Sequence, residues 1–254
     1  MKIVACYKLV PEDRDISVNP DLTLDLSNAT WKVGDYDLTA IEMAMRIGES
    51  QEDSSVVLLT YGNDVVTDQK LKKGVYARGP HMGYAVRDAA ASQADSFAAA
   101  SVLAAAINKI GDVDLVVCGE GSGDIYSQQV GPLLGALLNR PVVNAVKEVS
   151  AEGGKLVAKR DLEDAVEVVE VALPALISTT SEACKPRIPG MKDILAAGKK
   201  EQVVWDVDEV APGRPAPRKE TVSTLAPAKK DRSCKVFEGM DSLGDFIEAL
   251  RKVM

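Results

Sequence analysis

The chain has 254 residues, 46% of them hydrophobic, enough to bury a full core as one large domain or as one domain with an extension. Its 30 Lys and Arg against 38 Asp and Glu leave a formal charge of -8, which argues against a field that gathers nucleic-acid phosphates, so no nucleic-acid partner is expected. The four cysteines, Cys6, Cys118, Cys184 and Cys234, include no C-x-x-C pair and His81 is the only histidine, so neither an iron–sulfur nor a zinc site is expected.

Nothing resembles a signal peptide, and no apolar run approaches the ~18 residues of a membrane span. The expected setting is the reducing cytoplasm, without membrane insertion.

Ile3 to Tyr7 reads as a buried strand that enters a loop at Lys8-Leu9-Val10-Pro11. A polar stretch follows to about Gly34. Leu38, Ile41 and Met45 then recur at helical spacing, which predicts a helix over Tyr36 to Ile47 with Asp35 or Asp37 as its cap. Val56 to Tyr61 is a second buried strand, with a helix expected over Asn63 to Ala77. Tyr84 to Val86 makes a short strand, the alanine-rich run Gln93 to Ile110 a helix, and Val113 to Cys118 another strand.

That strand ends in Gly119-Glu120-Gly121-Ser122-Gly123-Asp124, and helical periodicity follows from Tyr126 to Leu138. Alternating strands and helices over this span predict an α/β fold: a doubly wound, mostly parallel sheet of Rossmann-like, adenine-nucleotide-binding type, with ligands at the carboxyl ends of its strands. From Val142 the pattern turns strand-like, in Ala145 to Val149, Lys155 to Arg160, Val166 to Leu173 and Ala175 to Thr179, with a hairpin turn at Glu152-Gly153-Gly154. After a helical patch at Asp193 to Gly198, the proline-bearing stretch Val210 to Asp231 reads as an extended arm. The arm ends in a helix, Ser242 to Lys252, whose Leu243, Phe246, Ile247 and Leu250 form an apolar stripe with Asp241 or Ser242 as cap. The stripe either packs on this chain's own domain or embraces a partner. The expected division is a nucleotide-binding domain over 1–200 and an arm over 201–254.

Glycines at alternate positions in Gly119 to Asp124 let main-chain N–H groups turn toward an anion at a helix start, as a phosphate requires; the same glycines also suit a plain tight turn. Ser122, Ser127, Gln128 and Gln129 add neutral donors around that point. Catalytic machinery is thin: His81 stands alone, no serine sits in a nucleophile elbow, and no cysteine has a base beside it. Glu163-Asp164 reads as a solvated turn, and Cys6 and Cys118 as small buried residues.

The stretch Ala158, Arg160, Glu163, Asp164, Glu167, Val169, Pro174, Leu176 and Thr179 resembles the diagnostic pattern of electron-transfer flavoprotein β subunits. Ala165 stands where that family has a glycine or an acid, which points to a side branch similar to the FixA-like members. Three further segments agree in order. Lys2 to Val10 is similar to the family's first strand with its lysine, Gly34-Asp35-Tyr36-Asp37 to its N-P-F-D segment with the first two residues replaced, and Cys118 to Leu133 to its nucleotide loop. The likeness covers residues 1 to 200 well and the tail by character only.

The resemblance implies a non-enzymatic electron carrier: a heterodimer whose α subunit holds the redox-active FAD, while this chain binds AMP or a second FAD. By position the nucleotide-binding residues would be Cys6 through its backbone, Gly34, Asp35, Tyr36 and Asp37, Tyr61, and Ser122, Gly123, Asp124, Ile125, Tyr126, Ser127, Gln128, Gln129, Val130, Gly131, Pro132 and Leu133. Gln129 to Pro132 leans toward the FAD-binding, bifurcating members, whereas Gly123 to Ser127 departs from both groups. The segment from Cys184 to Ala196 resembles the loop that docks on a flavoprotein dehydrogenase, with Pro186, Arg187 and Leu195 around the anchor position Met191.

Overall fold

Ile3, Val4 and Ala5 are fully buried, which makes β1 (Lys2–Tyr7) a central strand with no face toward water. The computed structural model describes residues 1–228 and 234–252. After β1 the chain forms α1 (Asp35–Glu49), β2 (Ser55–Gly62), α2 (Gln69–Tyr76), β3 (Met82–Arg87), α3 (Ser96–Ile110), β4 (Leu115–Gly119) and α4 (Val130–Leu137). Then come β5 (Val142–Glu152), β6 (Lys155–Asp161), β7 (Val166–Ala172), β8 (Ala175–Thr179), α5 (Met191–Ala197) and β9 (Gln202–Asp206).

These nine strands form one sheet in the order β7-β6-β5-β8-β4-β1-β2-β3-β9. From β5 through β9 in that order every pairing is parallel, for example Ile3 with Leu115 and Lys2 with Ser55. The β5–β6–β7 edge is antiparallel. Gly153 and Gly154, at φ 59 and 78, make the turn between β5 and β6 that a two-residue hairpin needs. The fold is thus the expected α/β type with a mostly parallel sheet.

One face is covered by α1 and α2 through Ile41, Ala44, Val75 and Tyr76, and the other by α3 and α4 through Val102, Ile107 and Leu134. Side chains such as Leu58, Leu115, Ile177 and Leu176 are wholly buried between the layers, each contributing roughly 1.5–3 kcal/mol of hydrophobic stabilisation.

Several boundaries differ from the sequence expectations, for local reasons. The helix expected over Asn63 to Ala77 is divided, because Asn63 accepts the Val65 N–H and Asp68 accepts those of Lys70 and Leu71, so α2 starts afresh at Gln69. Asp95 accepts the Ala98 N–H at 2.8 Å and sets the start of α3 at Ser96 rather than Gln93. The sheet continues past residue 200: β9 pairs with β3, and the compact unit that contains it comprises Met1–Ser17 and Asp25–Ser223. The boundary expected at 200 thus falls inside this unit.

A second unit comprises Val18–Leu24 and the chain from Thr224. In it Thr23 bridges to Leu225, and a helix, α6 (Leu243–Arg251), carries the stripe Leu243, Phe246, Ile247 and Leu250, each at 41–46% exposure. Neither Asp241 nor Ser242 caps α6 through its side chain; the Ser242 hydroxyl donates instead to the Glu238 and Gly239 carbonyls. Residues 229–231, the end of the expected extended stretch, and 253–254 lie outside the described residues.

Candidate functional site

From β1 the chain moves to β2 on one side of the sheet, and from β3 it returns to β4 on the other, so β1 and β4 flank a topological switch point. Crevices outside the carboxyl ends of such strand pairs are where open α/β sheets bind ligands. The ends of β1 and β4 deliver Lys8 and the loop that begins at Gly119.

Leu9–Pro11 pairs antiparallel with Trp31–Val33, which returns the chain to Gly34 beside Lys8, and the Gly34 N–H donates to the Lys8 carbonyl at 3.0 Å. Gly34 occupies the cap position of α1 with no side-chain cap. Asp35 reaches out to Lys32 at 3.6 Å, and Asp37 turns inward, so neither acid caps the helix as expected. Asp37 Oδ2 accepts the Lys8 N–H at 2.8 Å. Burial pushes the Asp37 carboxyl up to about 7, against the lowering influence of the Lys8 N–H, the Lys8 ammonium and the Gly119 N–H. A Cβ at Gly119 would stand 2.9 Å from Asp37 Oδ1 and 3.0 Å from the Tyr36 carbonyl carbon, so the start of α1 and the end of β4 meet at a distance only glycine allows.

Lys8 Nζ and Asp124 Oδ2 are 2.6 Å apart, which ties the loop to the end of β1. Burial raises the Asp124 carboxyl, but the Lys8 ammonium and the Ser122 hydroxyl outweigh it and hold the group below the usual carboxylate range. The Tyr126 ring leans on Tyr36 with centroids 5.1 Å apart, its hydroxyl donates to Glu120 at 3.0 Å, and Gln128 Nε2 donates to that same hydroxyl at 3.2 Å. Ser127 meets Ser96 at 3.0 Å and joins the loop to the start of α3.

Helical periodicity from Tyr126 predicted a helix there, yet α4 begins at Val130. The reason is local: Tyr126 and Gln128 are left-handed, at φ 49 and 54, a conformation uncommon outside glycine. Alternation of left- and right-handed residues turns successive N–H groups toward one side, the arrangement of an anion nest. Tyr126 N–H is used by Ser122 and Ile125 N–H by Asp124. Among the described residues, no protein acceptor is found for the N–H groups of Gly121, Ser122, Gly123, Asp124, Ser127 and Gln128. A phosphate with its several acceptor oxygens fits such a row of free donors beside a lysine.

Residues of the nucleotide set that the structure brings together at the switch point are thus Gly34, Tyr36, Asp37 and the loop from Ser122 to Gln129, with Asp35 facing outward. Val130, Gly131, Pro132 and Leu133 form the first turn of α4 behind the loop, with Leu133 N–H donating to Gln129 O. Cys6 offers its backbone at the strand end, while its thiol lies in the α3–α4 layer beside Cys118, whose hydrogen bond, together with burial, pushes it well up. Tyr61 points elsewhere: its hydroxyl donates to Asp88 at 2.8 Å, and it lines a cavity of ≈ 290 Å³ with Asp88, Gln93, Arg214 and Pro217. Asp88 and Arg214, paired at 3.2 Å, were not legible in the sequence, since 126 residues separate them. His81 is structural, its Nδ1 accepting the Val56 N–H, and Glu163 and Asp164 lie exposed in the β6–β7 turn.

In the segment expected to meet a dehydrogenase, Met191 and Leu195 are 76% and 69% exposed. Arg187 faces inward and contacts Glu42 and Glu49, and Ile188, not singled out in the sequence, is 94% exposed.

A family model described as electron transfer flavoprotein domain matches residues 21–210, well over half of the chain. The chain belongs to the electron transfer flavoprotein family. Members of this family are electron carriers rather than enzymes. Among the described residues no group of three or more His, Cys, Asp or Glu side chains is placed to hold a metal ion, and no helix is long and apolar enough to cross a membrane. The matched span of the electron transfer flavoprotein domain includes α1, the loop after β4 and the segment that carries Met191.

Proposed function

We propose that this chain is the β-type subunit of a heterodimeric electron transfer flavoprotein of the FixA-like branch. In this reading it shuttles electrons from flavoprotein dehydrogenases of the acyl-CoA type to an acceptor, in the cytoplasm. Its α partner holds the redox-active FAD, and this chain holds AMP or a second FAD. The observation that carries the reading is the row of unpaired N–H groups in the loop after β4, beside Lys8 at the switch point of a chain from this family.

The donors of Gly121 to Asp124 and of Ser127 and Gln128 would hold the phosphate, with Lys8 supplying positive charge and Asp37 holding the start of α1 against the end of β1. A bound flavin supplies the redox chemistry; the chain's residues bind, orient and shield it. The free thiols Cys6, Cys118, Cys184 and Cys234 accord with a reducing compartment.

The test is co-expression with the α subunit, purification of the complex and chromatographic measurement of released FAD and AMP. Two FAD per complex supports the reading with a second flavin, and one FAD with one AMP supports the single-flavin form. Nucleotide without a flavin-bearing partner favours a nucleotide-sensing module that transfers no electrons, and neither partner nor nucleotide refutes the assignment.

A further inference from the structure

Segment 181–187, which leads from β8 toward α5, is sewn onto α1. Thr39 Oγ1 donates to the Ser181 carbonyl at 3.4 Å, the Cys184 thiol to the Thr39 carbonyl at 3.7 Å and Arg46 Nη2 to the Lys185 carbonyl at 3.5 Å. The strongest contacts belong to Arg187. Its Nε and its backbone N–H both donate to Glu42 Oε2, at 2.7 and 3.1 Å, and its two terminal nitrogens take Glu49 bidentately at 2.6 and 3.1 Å. The Arg187 carbonyl in turn accepts from Arg78. Glu42 is only 5% exposed, so the Glu42 half of the clamp is sheltered from water while the Glu49 half stays partly open to it.

Immediately beyond the clamp the chain exposes Ile188, then Met191 and Leu195 on α5. Met191 and Leu195, four residues apart, share one face of α5, and Ile188 lies exposed in the stretch just before it, so the three follow one another as an exposed apolar row along the segment. The far side of the row is fixed too: Asp193 accepts the Gly190 N–H at 2.9 Å, and Ala197 is fully buried. An apolar row of this exposure held at both ends is preorganised, and preorganisation lowers the ordering cost of a transient encounter.

We propose that Arg187 is a positioning residue: by closing on Glu42 and Glu49 of α1 it presets Ile188, Met191 and Leu195 to seat in an apolar cleft of the flavoprotein dehydrogenase that reduces this carrier. This rests on the carrier reading above. It departs from a direct contact role for Arg187, whose guanidinium is spent within the chain, and it makes Ile188 a second anchor beside Met191.

The experiment uses the assembled carrier with its α subunit and an acyl-CoA dehydrogenase with its acyl-CoA as electron source. Arg187→Gln is expected to raise the KM for carrier about tenfold with kcat within about twofold, Arg187→Lys to recover part of the loss, and Ile188→Ala and Met191→Ala to raise KM in the same way. Hydrogen exchange supplies a partner-free readout: Arg187→Gln should speed exchange of amides 188–195 while those of β1 and β4 stay unchanged. If Met191→Ala raises KM but Arg187→Gln does not, positioning is refuted and docking survives. If neither Ile188→Ala nor Met191→Ala moves KM, the docking part of the carrier reading fails instead. Unchanged exchange at 188–195 in Arg187→Gln overturns the proposal whatever the dehydrogenase does. Should that variant not fold, Glu49→Gln, which loosens only the outer half of the clamp, is read against the same criteria.

Discussion

Asp37 Oδ2 accepts the Lys8 backbone N–H at 2.8 Å, so one buried carboxylate joins the start of α1 to the end of β1 at the mouth of the site. The same Asp37 is the group that Gly119 approaches from β4. Three elements therefore converge on a single titratable side chain, and its charge state bears on stability.

The Asp37 carboxyl, ordinarily near 3.8, is pushed up to about 7 by burial. A raised pKa means that folding favours the protonated form. This contribution to stability is complete below pH 3.8, declines as pH rises toward 7 and is gone above it, an effect on the order of a few kcal/mol. Urea unfolding across pH 4 to 7 should show this decline in the wild type and a flatter profile in Asp37→Asn; equal slopes in the two proteins would count against the assignment.

Lys8 and Asp124 are 42% and 26% exposed, so breaking their pair should cost under ~1 kcal/mol of stability. Ligand binding separates the two partners. Asp124→Asn removes a negative charge beside the expected phosphate and frees Lys8, and should tighten AMP or FAD binding several-fold. Lys8→Met should weaken it by about tenfold or more. Titration calorimetry distinguishes the cases, and a fall in affinity for Asp124→Asn would remove Lys8 from the phosphate site.

Gly119→Ala forces a methyl group to 3.0 Å from the Tyr36 carbonyl carbon, and backbone cannot swing aside as a flexible side chain can. The expected cost is ~1–3 kcal/mol, with co-purifying nucleotide lost because α1 is displaced from β4. Gly74→Ala in α2 serves as the control, since nothing lies within 4 Å of its Cβ. A Gly119→Ala protein with wild-type melting temperature and full nucleotide content would show that the close approach is not required.

The parts of this molecule that could be read from its sequence are those fixed by local periodicity: β1, α1, β2, α3, β4 and the β5–β6 hairpin all follow from runs such as Val56 to Tyr61 or a glycine pair in a turn. What could not be read is non-local or conformationally rare. The left-handed residues Tyr126 and Gln128 carry no glycine to mark them, so helical periodicity ran four residues too early through what is an irregular loop. Gln202–Asp206 is half-exposed and lacks the buried apolar run of β4 or β8, and only its pairing with β3 makes it a strand. Arg187 was legible as part of a docking segment, but its inward turn depends on Glu42 and Glu49, more than 130 residues earlier.

The second unit offers the remaining prediction. Both buried clusters of the sheet are built from residues between Ile3 and Ala211, so the described chain from Thr224 supplies none of that core. On the heterodimer reading, the apolar side of α6, with Leu243, Phe246, Ile247 and Leu250 each exposed by more than 40%, is expected to serve assembly. Truncation after Ser223 should leave the cooperative unfolding of the first unit in place, with a melting temperature within a few degrees of full length, a stability change of about 1 kcal/mol or less. Co-expressed with the α subunit, the truncated chain should elute alone and without bound FAD, and Phe246→Asp in the full chain should reproduce this loss. Retention of the α subunit by the truncated protein would mean that the partner is held by the sheet unit and that the arm serves another purpose.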